Sequence, residues 1–238
     1  MTIIVFAKAP LPGYAKTRLA SHIGNDKAAE LAARMLRAAV EQAVQADCGP
    51  VELCCTPDTG HRLFQQLRDE FGIRLSLQGE GDLGQRMRAA LARALQSNPF
   101  ALLTGTDAPS LDAQYLRTAA QVLRFWLEPA NLAHSPPAVL PAPAAPSITP
   151  PHHTSPDRAV RSPAPAVFAP TFDGGYALIG VTQDIPSLFS DMPWSTPQVM
   201  PQTRARLARA GLAHTELPML HDVDEAADLI HLPPEWIA

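Results

Sequence analysis

The sequence F-A-L-L-T-G-T-D-A-P-S-L spans residues 100–111 and decides the fold class. Its apolar run ends at Thr104, a carboxylate follows at Asp107, and Pro109 prevents the strand from continuing. This pattern is typical of a buried parallel strand that brings Asp107 to its carboxyl end, where open α/β sheets bind ligands. There Asp107 can hold a divalent cation against a nucleotide diphosphate, or form an Asx turn without a ligand.

Strand and helix patterns alternate on both sides of this stretch. β-Branched and apolar runs predict strands at 2–7, 51–56, 73–78, 100–104, 166–170, 176–181 and 214–217. Periodicity near 3.6 predicts helices at 26–46, 61–71, 83–96, 113–127 and 197–210, one turn at 186–189 and a closing helix after 221–229. Asn25 or Asp26 and Ser110 or Asp112 are the expected caps, and residues 8–19 show no periodicity. The alternation predicts an α/β fold of three layers with a mostly parallel sheet.

Residues from about 128 to 166 interrupt this pattern. They hold eleven of the 25 prolines, a composition that favours extended or disordered chain over a packed core. We interpret them as a surface insertion in one domain of residues 1–238, because the roughly 70 residues that follow are few for a second α/β unit. His152 and His153 could bind a metal there, although a solvated loop explains them more simply.

Composition excludes several classes of protein. The net charge of −4 provides no basic field for nucleic acid or an anionic membrane, and no apolar run reaches the ~20 residues of a membrane helix. Cys48, Cys54 and Cys55 form neither a disulfide framework nor a C-x-x-C metal pair. The N-terminus lacks the basic region of a signal peptide, so we expect a cytoplasmic protein; its oligomeric state is left open.

Basic residues surround Gly13 in the first loop, namely Lys8, Lys16 and Arg18. Glycine permits a close backbone approach, and lysine and arginine donate to phosphate oxygens, although a solubilising loop has the same composition. The spacing matches neither a Walker P-loop nor G-x-G-x-x-G. Asp82 and Arg86 are similarly ambiguous, because Asp82 can simply cap the helix that begins at Leu83.

Three further aspartates are candidates for chemistry. Asp222 and Asp224 could join Asp107 around Mg²⁺ or Mn²⁺, although Asp224 is also placed to cap the helix entered at Glu225. Asp173 could contact the acceptor or act as general base, or form a turn with Gly174. Trp194 could stack on a sugar or base, or belong to the core.

Six stretches occur in an order that resembles a known family. They are 6–19 (F-A-K-A-P-L-P-G-Y-A-K-T-R-L), 81–87 (G-D-L-G-Q-R-M), 105–111 (G-T-D-A-P-S-L), 173–180 (D-G-G-Y-A-L-I-G), 194–196 (W-S-T) and 222–229 (D-V-D-E-A-A-D-L). The chain resembles the bacterial DUF2064 glycosyltransferase-like proteins, which are related to 2-phospholactate guanylyltransferases and associated with arsenosugar biosynthesis. It departs from the family pattern at Ala108, at Ala226–Ala227 and in the proline-rich insertion.

The resemblance implies a GT-A fold, the nucleotide-diphospho-sugar transferase architecture. It implies that the nucleotide phosphates lie against Lys8, Gly13, Lys16 and Arg18. The metal would bind Asp107 with Asp222 or Asp224, and the acceptor would face Asp173, Gly174, Gly175 and Tyr176.

The leading hypothesis is a metal-dependent transferase that passes a glycosyl group from a nucleotide-sugar to a small acceptor. Asp173 would deprotonate the acceptor hydroxyl. The alternatives are a nucleotidyltransferase that joins a nucleoside triphosphate to a phosphorylated acceptor, and a non-catalytic nucleotide-binding protein. A second acidic ligand near Asp107 would favour nucleotidyl transfer.

Overall fold

The computed structural model of this chain describes residues 1–128, 166–233 and 236. The predicted insertion at about 128–166, including His152 and His153, therefore lies outside the described residues except at its two ends. None of the helices described is long and apolar enough to cross a membrane.

Seven strands and six α-helices form the described part of the chain. The strands are β1 (Thr2–Lys8), β2 (Val51–Thr56), β3 (Arg74–Leu77), β4 (Ala101–Thr104), β5 (Ala166–Pro170), β6 (Tyr176–Val181) and β7 (His214–Glu216). The helices are α1 (Thr17–Ile23), α2 (Asn25–Gln45), α3 (Arg62–Phe71), α4 (Leu83–Leu95), α5 (Ala113–Leu127) and α6 (Val199–Arg209). Two 3₁₀ turns lie at Pro186–Leu188 and Ala226–His231.

The strands form one sheet in the order β3-β2-β1-β4-β6-β5-β7. All neighbours are parallel except β6, which runs antiparallel to β4 and β5. The predicted α/β fold with a mostly parallel sheet is therefore confirmed. Strands from both sides of the proline-rich segment contribute to the sheet.

Both faces of the sheet are buried, as a three-layer fold requires. In β1, Ile3 and Val5 join one apolar cluster with residues of α2, α3 and α5, whereas Ile4 and Phe6 join another with residues of α4 and α6. The side chains of a strand alternate between faces, so an almost continuous apolar run supplies both clusters.

Three local expectations were wrong. Residues 17–23 form α1 and not a loop. Sequence analysis missed this helix because Leu19 is the only buried residue of the seven, so the sequence shows no helical period. Gly24 is the N-cap of α2, in place of Asn25 or Asp26. The closing helix is only a 3₁₀ turn, Ala226–His231.

Candidate functional site at the carboxyl edge of the sheet

The parallel strands bring the ends of distant segments to one edge of the sheet. Asp107 follows β4, and the segment 221–224 follows β7. A backbone hydrogen bond joins them, because the Val223 N–H donates to the Asp107 carbonyl oxygen at 2.8 Å. We call this place the carboxyl edge.

Lys16 lies at the centre of the carboxyl edge. Its ammonium forms an ion pair with the Asp107 carboxylate, lies 3.0 Å from Asp224 Oδ1 and donates to the Val223 carbonyl oxygen at 2.5 Å. Only 6% of the Lys16 side chain is exposed, against 50% for Asp107 and 41% for Asp224. We call these three side chains the lysine–aspartate cluster. The structure thus brings together residues 16, 107 and 224, which are far apart in the sequence.

Buried neighbours position Asp224. Val223 is fully buried in a small core with Leu19, Leu31 and Met35, which anchors the segment beside α1 and α2. The 3₁₀ turn that follows begins with Glu225 as N-cap, and the Asp228 carboxylate accepts from the Glu225 N–H at 2.8 Å. The expectation that Asp224 caps this turn is therefore wrong, and its side chain instead contacts Lys16.

The cluster has more negative than positive charge. Burial would lower the pKa of the Lys16 ammonium, but the charges of Asp107 and Asp224 outweigh burial and raise that pKa above its ordinary value. Burial, followed by the negative charge of nearby Asp173, raises the pKa of the Asp222 carboxyl to about 6. Asp173 and Asp222 therefore add to the negative potential of this edge.

The donor set suits a hard divalent cation. Two carboxylates already converge on one cation, the Lys16 ammonium, and Mg²⁺ bound with a nucleotide needs only one or two protein carboxylates. Within residues 1–128, 166–233 and 236, no three or more histidine, cysteine, aspartate or glutamate side chains form a metal-binding group. Phosphate and water would have to complete the shell of a metal at this place.

Lys8, the last residue of β1, and Arg18, in α1, are the other basic residues predicted to contact phosphate, and both are exposed. Lys8 is exposed, with its ammonium 5.8 Å from the centre of the Tyr14 ring. The side chain of Arg18 is 58% exposed and lies 4.0 Å from Glu225. Gly13 has a φ of 75°, which non-glycine residues rarely adopt, and open space lies next to its Cα.

Asp82 and Arg86 lie at the start of α4. Asp82 accepts from the Gln85 N–H at 2.8 Å in a capping box. This agrees with the alternative prediction that Asp82 caps the helix beginning at Leu83. Arg86 donates to Gln78 Oε1 at 3.0 Å, and Gln78 donates to the carbonyl oxygens of Ala7 and Cys54. Gln78 connects Arg86 to the ends of β1 and β2, a role that sequence analysis missed because a lone glutamine has no sequence signature.

The residues predicted to face the acceptor are mostly held by local packing. Asp173 Oδ1 accepts from the Thr171 hydroxyl at 2.5 Å and from the Gly175 N–H at 2.8 Å, which is the predicted turn. Gly174 has a φ of 91°, and a Cβ atom there would collide with the backbone of Pro197. Their roles toward an acceptor stay predictions.

Tyr176 and Trp194 pack against the apolar cluster of α4 and α6. Their ring centres are 6.4 Å apart, and a Cβ atom on Gly84 would collide with the Trp194 indole. This packing fits the alternative that Trp194 is a core residue.

Sequence analysis also missed a stack of three rings beside the aspartates. His221 stacks on Phe172 at 4.1 Å and on His231 at 3.7 Å between ring centres, and Phe172 is 60% exposed.

Two surface cavities lie elsewhere, one of ≈ 330 Å³ beside the start of α4 and one of ≈ 610 Å³ between the first loop, α2 and α3. Asp82 lines the first, but neither includes the lysine–aspartate cluster.

A family model matches residues 35–126 and 130–196 of this chain. The chain belongs to the DUF2064 family. This family is described as an uncharacterized protein conserved in bacteria. The comparison with curated proteins found no match.

Several solved structures that are similar to this DUF2064 protein carry the name of a transferase or a synthetase. A candidate nucleotide-diphospho-sugar transferase from Desulfovibrio desulfuricans G20 is 25% identical, with a TM-score of 0.72 over 96% of this chain and 84% of that one. A nucleotidyl transferase from Methanothermobacter is 10% identical, with a TM-score of 0.54 over 99% and 97%. CMP:2-keto-3-deoxy-manno-octonic acid synthetase, solved with CTP, is 13% identical, with a TM-score of 0.52 over 97% and 95%. The fold is therefore GT-A-like.

Proposed function

We propose that this protein is a metal-dependent transferase that takes a glycosyl group from a nucleotide-diphospho-sugar and passes it to a small acceptor. The observation that carries the proposal is the convergence of Asp107 and Asp224 on one cation at the carboxyl edge. The likeness to the Desulfovibrio protein supports the choice of donor. The three free cysteines fit the cytoplasm as its location.

In this proposal residues between the end of β1 and the start of α1 bind the donor. Lys8 and Arg18 would donate to the phosphates, and Gly13 would let the backbone approach them. Asp107 and Asp224, with Asp222 beside them, would hold Mg²⁺ or Mn²⁺, and the metal would supply positive charge for the leaving diphosphate. Asp173 would accept the proton of the acceptor hydroxyl, beside Gly174, Gly175 and Tyr176.

Nucleotidyl transfer is the second candidate. Asp224 provides a second carboxylate on the same cation as Asp107. Such a pair suits the attack of an acceptor phosphate on the α-phosphate of a nucleoside triphosphate, with pyrophosphate as the leaving group. The same loop residues would then bind three phosphates.

Calorimetric titration with UDP, GDP, UDP-glucose and GTP, each with Mn²⁺ and with EDTA, tests the proposal. We expect a diphosphate or the nucleotide-sugar to bind only with Mn²⁺, and a preference for GTP would favour nucleotidyl transfer. Binding to none of the four would contradict both. The same titration of Asp107→Asn should show weaker binding with Mn²⁺. Asp69→Asn is its matched control, because Asp69 is an exposed aspartate near the end of α3, at the opposite edge of the sheet.

A further inference from the structure

The Lys16 ammonium occupies the place that the proposed function assigns to a metal. An ammonium has three N–H donors, and here it faces three acceptors: the Asp107 carboxylate, Asp224 Oδ1 and the Val223 carbonyl oxygen. The side chain is only 6% exposed, so the charge is neutralised mainly by these partners. Lys16 is therefore a resident cation of the site, unlike the exposed Lys8 and Arg18.

The backbone of Lys16 supports a special role. It has φ 51° and ψ 43°, the left-handed conformation that residues other than glycine rarely adopt, immediately before α1. Such outliers persist where the surroundings over-determine them, often at functional sites. Here the conformation comes with a side chain held between Asp107 and Asp224.

A divalent cation that bound the Oδ1 atoms of Asp107 and Asp224 would lie in the place of this ammonium. Even on the other carboxylate oxygens it would lie close to the ammonium, and two positive charges at such short distance repel each other. The four-carbon stem of lysine is flexible, and Lys16 lies at the end of the loop between β1 and α1, so a displaced ammonium can turn toward phosphates bound at that loop.

We propose that Lys16 is a displaceable stand-in for the metal, which closes the Asp107–Asp224 site until a divalent cation expels its ammonium toward the nucleotide phosphates. The movement of the ammonium toward nucleotide phosphates rests on the proposed function. The exchange of the ammonium for a metal does not depend on a nucleotide. It means that the apo protein binds metal weakly and that metal binding makes one more phosphate donor available.

A titration with Mn²⁺ in the absence of nucleotide tests the exchange. The electron paramagnetic resonance signal of free Mn²⁺ measures how much of the metal remains unbound. Lys16→Met should bind Mn²⁺ at least tenfold more tightly than wild type, and adding Asp107→Asn should remove the gain. Lys27→Met is the matched control, because Lys27 is exposed at the start of α2 and its loss changes the net charge equally. Equal or weaker binding by Lys16→Met than by wild type would overturn the inference.

A second measurement uses the wild type, in case Lys16→Met does not fold. Nuclear magnetic resonance should detect the protected Lys16 ammonium, and saturating Mg²⁺ should abolish its signal by releasing it to solvent. Persistence of the signal would also overturn the inference. If the exchange occurs but no nucleotide binds, only the proposed function fails; if nucleotides bind with Mn²⁺ but Lys16 is not displaced, only this inference fails.

Discussion

At the carboxyl edge one lysine lies between two carboxylates, whereas at the opposite edge one carboxylate lies between two arginines. Glu52, near the start of β2, pairs with Arg74 of β3 and Arg93 of α4 and is only 1% exposed. Ser76 donates to the same carboxylate at 2.5 Å. We call this group the glutamate–arginine cluster.

The two clusters differ in the charge they leave uncompensated. Burial would raise the pKa of Glu52, but the hydrogen bonds from Ser76, Arg93 and Arg74 outweigh it and lower that pKa. This cluster has an excess positive charge on partly exposed arginines and ties two strands to a helix. The lysine–aspartate cluster has an excess negative charge, which Asp222 and Asp173 increase. Only the second therefore has the charge to attract a further cation, and we assign function to it and structure to the first.

Asp107→Asn tests the functional side and should have the largest effect. It removes one of the two proposed carboxylate ligands with little change of shape, so nucleotide binding in Mn²⁺ should weaken by roughly 100-fold, the upper end of the range seen when metal sites lose supporting groups. Calorimetry measures this, with Asp69→Asn as control. Equal affinities in Asp107→Asn and wild type would exclude the metal role of Asp107.

Glu52→Gln tests the structural side. It leaves two arginines without their carboxylate, and we expect the free energy of unfolding to fall by about 2 kcal/mol, less than for a fully buried pair because both arginines reach water. Urea denaturation measures the loss. Glu70→Gln, which breaks an exposed pair with Arg37, should cost under about 0.5 kcal/mol. If Glu52→Gln reduced Mn²⁺ or nucleotide affinity in the folded protein, the division between the clusters would be wrong.

Arg18→Ala should have a smaller effect, on phosphate binding alone. Its exposed guanidinium has a distant partner in Glu225, and its loss should weaken UDP binding about tenfold, since a hydrogen bond to a charged group contributes ~1.5–3 kcal/mol. Metal binding without nucleotide should not change. Arg68→Ala, an exposed arginine of α3, is the control, and an identical response of both variants would argue against a phosphate role for Arg18.

The ion pair between Glu216 and Arg204, in which one carboxylate meets one guanidinium, is a reference for both clusters. Glu216 accepts two hydrogen bonds from Arg204 at 2.7 Å, which with the weaker influence of His214 lowers its pKa to about 2 despite partial burial. A lowered pKa means stabilisation that is full above the ordinary value of 4.5 and is lost as the pH falls towards 2. Glu216→Gln should therefore cost under about 1 kcal/mol near pH 7 and progressively less below pH 4.5. Urea denaturation across pH measures this, and a difference that grew on acidification would contradict the assigned sign.

Much of the fold could be predicted because strand and helix patterns are local. The bounds of β2, α5, β5 and β6 agree with the predicted ones, since each is a clear apolar run or a clear 3.6-residue period. The antiparallel direction of β6 was not predicted. The connection between β5 and β6, residues 171–175, could have predicted it. Two neighbouring parallel strands need a connection of about a dozen residues or more, so a connection this short favours an antiparallel pair.

The contacts of the site were less accessible to sequence analysis. Lys16 and Asp224 are 208 positions apart, and only the strand order brings them together. Sequence analysis predicted that Lys16 binds phosphate or belongs to a solubilising loop, and that Asp224 caps a helix or binds metal. Because Glu225 takes the cap position, Asp224 reaches the lysine instead, and nothing in its spacing predicts that.

Calorimetric titration of UDP and GTP into wild type, Glu52→Gln and Asp107→Asn, with Mn²⁺ and with EDTA, tests the central claim most directly. The claim that the lysine–aspartate cluster is the metal-dependent nucleotide site predicts Mn²⁺-dependent binding of at least one nucleotide to wild type and Glu52→Gln, and greatly weakened binding to Asp107→Asn. The same affinity in all three proteins, or binding that is indifferent to EDTA, would contradict it.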